Sequence, residues 1–237
     1  MSTTIDPAAD DPADGGPRER NRRGQGGRLR ADILTAAAEL LDEAGNEQAV
    51  TLRAVARRIG IAAPSIYAHF ADRQAILLAV VQEAFAELAQ ALGATTRTGA
   101  APTSGGADGA DGPDGAEARL RAACAAYLHF AATRPQRYRV MFGGVWNAVD
   151  AVDSAAVSAA EVTALGQAAL AVLVTALDDC VAAGRSTSTD TVADAIALWL
   201  GLHGLAHQRA VLRAFPWPAD IAERLVTPLA HLPGGPI

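Results

Sequence analysis

Thr51–Arg73 reads TLRAVARRIGIAAPSIYAHFADR, and the rest of the chain is legible once this stretch is understood. Thr51 is a good helix N-cap, because its hydroxyl accepts from an otherwise unpaired first-turn N–H. Leu52, Val55, Ala56 and Ile59 then recur at helical spacing on one face. Gly60 stands where a helix ends in a left-handed residue. Pro64 lies where the first turn of a second helix tolerates a missing N–H. Ile66 and Phe70 continue the apolar face, while Ser65, Tyr67 and His69 point elsewhere. A small Ala56, a glycine four residues later and an apolar Ile66 suit a helix-turn-helix, whose two helices cross closely. A tight helical hairpin with no DNA partner satisfies the same spacing.

A longer match narrows this choice. Tyr67-Ala68-His69-Phe70, followed by Asp72-Arg73 and a long amphipathic pattern, resembles the tetracycline-repressor (TetR) family of one-component regulators. That family usually places a lysine where this chain has Arg73, and the replacement keeps the charge for a phosphate contact. The resemblance implies a DNA-binding head, a following helix that links it to a regulatory core, and a homodimer joined through a four-helix interface.

Composition agrees with an all-α protein. Half of the 237 residues are apolar and only 5% are aromatic. Alanine dominates, and β-branched residues are sparse. The net charge of −6 is unexpected for a DNA binder until it is divided along the chain. Residues 1–17 carry four Asp and no basic residue, whereas residues 18–92 carry ten Arg against nine acids. DNA binding would then rest on local placement of arginine rather than a generally basic domain. All 20 basic residues are arginine. Cys124 and Cys180 have no second Cys or His at ligand spacing and read as buried free thiols. The N-terminus lacks the apolar run of a signal peptide. The longest apolar stretches, near 168–177 and 195–206, look too short and interrupted to span a membrane. A cytoplasmic location is expected.

In chain order, residues 1–27 form an expected disordered tail, acidic at first and then arginine-rich. Arg20, Arg22 and Arg23 are placed to reach a minor groove as an arm, or to remain a solvated tail. A three-helix head is expected over 28–72, with Leu29, Ile33, Ala37, Leu40 and Leu41 on the first stripe and Gly45 as its stop. A ligand-binding and dimerisation domain follows over 73–232, an antiparallel helical bundle. Asp72 is placed to cap its first helix, striped by Ile76, Leu77, Val80, Val81, Ala84, Phe85 and Leu88. Residues 93–115 read as a flexible insertion rich in Gly, Pro, Ser, Thr and Asp. Further helices are expected from about 117 to Pro135, through Tyr138 to Phe142, from 154 to 183, from 191 to 214, and near 219–231. The two long ones, 154–183 and 191–214, carry small residues suited to close packing against a partner.

The recognition helix offers few groups that read base edges. Ser65 is its main hydrogen-bonding group, and Ala62 and Ala63 suit thymine methyls. Tyr67 and His69 fit phosphate contacts, as do Thr51 and Arg73 at two helix N-termini. His69 also fits a half-buried packing role. Further on, Pro135-x-x-Tyr138-x-x-Met141-Phe142 and Trp199-x-x-x-His203-Gly204 resemble the regulatory domain of a TetR subgroup marked by a Trp…His-Gly motif. Trp199 and His203 share a helix face. With Tyr127, Phe130, Met141 and Phe142 they are candidates to line a ligand pocket, suited to an uncharged or aromatic compound. A packed core Trp and a satisfied His beside a close-approach Gly204 is the competing reading.

No phosphate loop, nucleophile elbow or convincing metal set is evident, and neither a cofactor nor an enzymatic activity is expected. His203 and His207 fall four apart, but no third ligand stands at a compelling spacing. The expected function is a small-molecule-responsive repressor acting as a homodimer on a palindromic double-stranded operator. Two alternatives stand: a dimeric DNA-binding regulator without small-molecule control, and a helical binding or catalytic protein that happens to carry the pattern.

Overall fold

The computed structural model describes residues 25–98, 113–144 and 146–233, and these contain ten α-helices and no strand. The acidic tail, the arginine arm at 20–23 and residues 99–112 lie outside them. Helix α1 (Gln25–Ala44) starts slightly before the expected position and buries Ile33, Leu34, Ala37 and Leu41. Gly45 stops it at φ +70°, its N–H donating to the Leu41 carbonyl at 2.8 Å. Helix α2 (Leu52–Arg58) begins on Thr51, whose hydroxyl accepts from the Ala54 N–H at 3.1 Å. It ends with Gly60 at φ +71°, and the Ile61 N–H reaches back to the Ala56 carbonyl at 3.0 Å. That bond closes a Schellman-type end and sets the tight turn.

The next segment, Ala63–Ala68, is a 3-10 helix with Pro64 in its first turn. Helix α3 (Arg73–Thr98) is capped by Asp72, which accepts from the Ala75 N–H at 2.8 Å. It is the spine of the fold and packs against α1, α4 (Pro113–Thr133), α5 (Pro135–Phe142) and α8 (Gln167–Ala182). The expected insertion is shorter than composition suggested. Residues 93–98 continue α3 and 113–115 begin α4, because Leu92 and Ala116 are buried and draw their flanks into helix.

The long helix expected over 154–183 is instead broken. Helix α6 (Ala148–Asp153) ends before Ala155, which adopts φ 57°. Helix α7 (Ala159–Thr163) starts on a capping box formed by Ser158 and Glu161. Gly166, at φ +77°, then turns the chain into α8; a Cβ there would meet Phe85 Cε1 at 3.0 Å. High alanine content favours helix throughout, but a capping box and a left-handed glycine impose new starts. Helices α9 (Thr191–Val211) and α10 (Ile221–Leu229) complete the bundle.

Side-chain packing divides inside α3. Ile76 to Val81 belong to the head's core with α1, α2 and Ile66; Val140 of α5 joins them, and so do Trp146, Ala151 and Val157 from beyond it. Leu88 and Leu92 belong to a second core built from α4, α8, α9 and α10. Two stretches, Arg73–Thr96 and Ala159–Ala182, are long and apolar enough to cross a membrane by length and composition, contrary to the reading of the shorter apolar runs. Half of the first stretch's apolar window is buried inside the protein, and the second is interrupted at Gly166.

Candidate functional site

The head's exposed edge follows from 3-10 geometry, in which residues three apart share a row. Ala63, Ile66 and His69 form the inner row: Ile66 is fully buried, and Ala63 and His69 are half-buried. Ala62 and Ser65 form an exposed row, and Tyr67 beside them is 62% exposed. Of the residues expected at DNA, Ala62, Ser65 and Tyr67 are therefore open to a groove, while His69 and Ala63 partly support the packing. Thr51 spends its hydroxyl as the α2 cap. The Arg73 guanidinium, 32% exposed, holds Glu47 at 3.1 Å, so a phosphate contact would have to share it. Arg58 is likewise engaged, with Glu39 at 3.1 Å and Glu43 at 2.6 Å; its hydrogen bond keeps the Glu43 carboxyl below the usual range. Arg53 and Arg57 on α2 are exposed and form no ion pair among the described residues. Periodicity did not mark them, since an exposed arginine on a helix carries no positional signal.

At the margin of the second core lies an aromatic cluster. Tyr127 of α4 is fully buried and meets Trp199 of α9 edge-on at 5.5 Å. Phe142 of α5 contacts the His203 ring at 4.6 Å and Trp199 at 6.3 Å. Tyr138 packs on Phe142 at 5.0 Å, and its hydroxyl lies 2.7 Å from His203 Nδ1. Burial pushes the Tyr138 hydroxyl up to about 12, so it keeps its proton and shares a hydrogen bond with Nδ1, in whichever direction the imidazole tautomer sets. Burial first, and His207 second, lower the His203 pKa, which favours the neutral imidazole. The Tyr127 hydroxyl is buried and meets no partner at full hydrogen-bond geometry among the described residues, and burial first, then the neighbouring Tyr138, raises its pKa.

Four of the six expected ligand residues thus converge: Tyr127, Phe142, Trp199 and His203. Met141 is half-buried against the same core. Phe130 is buried further along α4, under the Arg134 guanidinium at 5.6 Å, and borders a different cavity of about 490 Å³ between α3 and α4. A second cavity, about 430 Å³, opens between α5 and α9 beside Tyr138 and Phe142.

Polar contacts that the sequence did not reveal tie α5 and the segment after it to α1, to Glu47 and to the start of α3. Arg139 Nη2 donates to the Asp42 carbonyl at the end of α1, at 3.0 Å. Trp146 Nε1 donates to Gln74 Oε1 at 2.7 Å, and the Asn147 N–H to Glu47 Oε2 at 3.3 Å. Burial raises the Asp42 carboxyl pKa, with Arg137 and Arg139 opposing it. On the far side, α9 leaves Val192, Ile196, Leu200 and Val211 exposed on one stripe. A Cβ added at Gly204 on that stripe would meet nothing within 4 Å, so any close approach there lies outside the single chain.

Residues 33–80 match the family model described as bacterial regulatory proteins, tetR family, and residues 120–232 match the tetracyclin repressor-like, C-terminal domain. Among curated proteins, none matches the chain significantly. A solved protein of unknown function from Rhodococcus sp. RHA1 is similar at 25% identity and TM-score 0.63, over 89% of this chain and 95% of that one. A TetR family transcription regulator from Marinobacter aquaeolei VT8 shares 17% identity at TM-score 0.55, over 88% and 96% of the two chains. The transcriptional regulator FadR from Bacillus subtilis, solved in complex with stearoyl-CoA, shares 12% identity at TM-score 0.62, over 84% and 97%.

Proposed function

Because the chain belongs to the TetR family of DNA-binding transcriptional regulators, we propose that it is a repressor released from its operator by a small molecule. Its head, residues 28–72, would read DNA through Ala62, Ser65 and Tyr67, with Arg53 and Arg57 available to phosphates. Residues 73–232 would bind the effector and pair two copies through α8 and the exposed stripe of α9. Two heads on a symmetric dimer suit a palindromic operator with half-sites about 34–36 Å apart. Such a regulator works in the cytoplasm, beside the chromosome.

One observation carries the ligand-responsive part. Helix α5 places Tyr138 against His203 in the aromatic cluster and the very next residue, Arg139, on the end of α1 in the head. An effector that repositions α5 has a short physical route to the head. The mechanism is a population shift: the effector binds better to the arrangement whose heads no longer match successive major grooves.

Fluorescence anisotropy on the DNA upstream of the protein's own reading frame tests this reading. Specific binding that is reversed by a fractionated small-molecule extract is the expected result. Specific binding that no fraction reverses would favour the dimeric regulator without small-molecule control.

A further inference from the structure

The cavity between α5 and α9 differs from the aromatic cluster in its charge. Tyr138, Phe142, Arg139, His207 and Arg213 line it, Val211 of the proposed dimer stripe borders it, and no carboxylate lines it. A neighbouring cavity of about 350 Å³ shares Arg213 and adds Arg209, again with no carboxylate. In a chain of net charge −6, a groove lined by two arginines and a histidine with no acid, and flanked by a third arginine, is a local reversal of sign. Arg209 and Arg213 form no ion pair among the described residues. Apolar walls with convergent positive groups are the chemistry of a site for an organic anion.

Arg139 belongs to this groove and to the head at once. Its stem passes over Gly143, where an added Cβ would lie 2.5 Å from Arg139 Cγ. Its guanidinium ends on the Asp42 carbonyl, one of the free acceptors at the C-terminus of α1, where a positive charge is favoured. The Asp42 carboxyl is charge-coupled to Arg139, and Arg137 and Glu39 act on the same carboxyl.

We propose that an organic anion with an aromatic or aliphatic body fills this groove, pairs with Arg213 and Arg139, and draws Arg139 away from the end of α1. Arg139 is then a latch. Without ligand it ties the head to the bundle; with ligand its charge is spent on the anion, and the last turn of α1 loosens. This rests on the ligand-responsive reading, and it adds the charge class of the effector and the contact through which it acts.

The test uses the full-length protein with 2-naphthoate as the probe and neutral 2-naphthamide as its control. Calorimetric titration is expected to show naphthoate binding about tenfold or more tighter than naphthamide, the worth of one charge-assisted bond. Arg213→Ala, an exposed substitution that threatens no core, is expected to abolish that preference. Equal binding of acid and amide, or an unchanged preference in Arg213→Ala, would overturn the site. So would a loss of nonspecific DNA affinity in Arg213→Ala with naphthoate binding intact, which would assign the groove to nucleic acid.

Hydrogen exchange at amides 43–46 reads the latch itself. It is expected to quicken in Arg139→Gln and Arg139→Ala without ligand, and in the wild type with saturating naphthoate. Unchanged exchange in both variants would overturn the latch. Quickened exchange with the operator still bound at saturation would support the latch and count against ligand control of DNA. Operator release without quickened exchange would do the opposite.

Discussion

The head and the bundle meet water with opposite chemistry. Around the recognition segment the exposed side chains are Ser65, Tyr67, Arg53 and Arg57, while Ile66 and Phe70 are buried within the chain. Along α9 the exposed side chains are Val192 at 52%, Ile196 at 42%, Leu200 at 63% and Val211 at 61%. A contiguous apolar stripe of this kind marks an association surface, whereas scattered polar groups on a small helix suit a charged, hydrated partner such as DNA. The head buries its large apolar groups within the chain, whereas α9 leaves a row of them in water, on the face proposed above to meet a second copy.

Leu200→Arg breaks the comparison most severely. A charge in the middle of the stripe costs nothing in the monomer but opposes burial against a second copy. Sedimentation should show monomer, and operator affinity should fall by roughly two to four orders of magnitude as the second head is lost. A dimer with full affinity would show that α9 does not form the interface.

Trp199→Ala strikes the inner side of the same helix. The indole is half-buried against Tyr127 and Phe142, so roughly 3 kcal/mol of stability should be lost, the low end for an aromatic truncation. Chemical denaturation measures it. A stable variant that binds operator but no longer releases it would instead place Trp199 at the effector.

The head answers to a smaller change. Thr51→Ala removes the α2 cap and should cost about 1 kcal/mol, visible as a modest fall in melting temperature with the dimer intact. No change in stability would show that solvent replaces the hydroxyl without loss.

The smallest effect is a pH dependence confined to the bundle. His203 is held neutral, its folded pKa below the ordinary 6.5. In acid the unfolded chain takes up a proton that the folded one resists. Its contribution is therefore complete above about 6.5 and is lost as pH falls below that value. Melts from pH 7.5 to 5.5, taken as an acid series within ordinary buffers, should fall more steeply for wild type than for His203→Gln. Parallel curves would show that the imidazole protonates freely.

The all-α class, the helix-turn-helix and the family are legible from residue order, because these depend on local pattern. A cap, a left-handed glycine, a stripe at 3.6-residue spacing and a short aromatic-His-Phe motif are all written within a few residues of one another. The sequence also carried the Ser158-x-x-Glu161 capping signal and Gly166, though uniform alanine masked the break they impose on 154–183. Relations between distant residues become visible once the chain is folded. Arg73 looks free until Glu47, 26 positions earlier, folds beside it. Arg139 and Asp42 are 97 apart, and Tyr138 and His203 are 65 apart. Gly204 resembles an internal close-approach site until its surroundings prove open. Periodicity tells which face of a helix is apolar. It cannot tell which other helix, or which other chain, that face will meet, because that choice is made by packing across the whole fold.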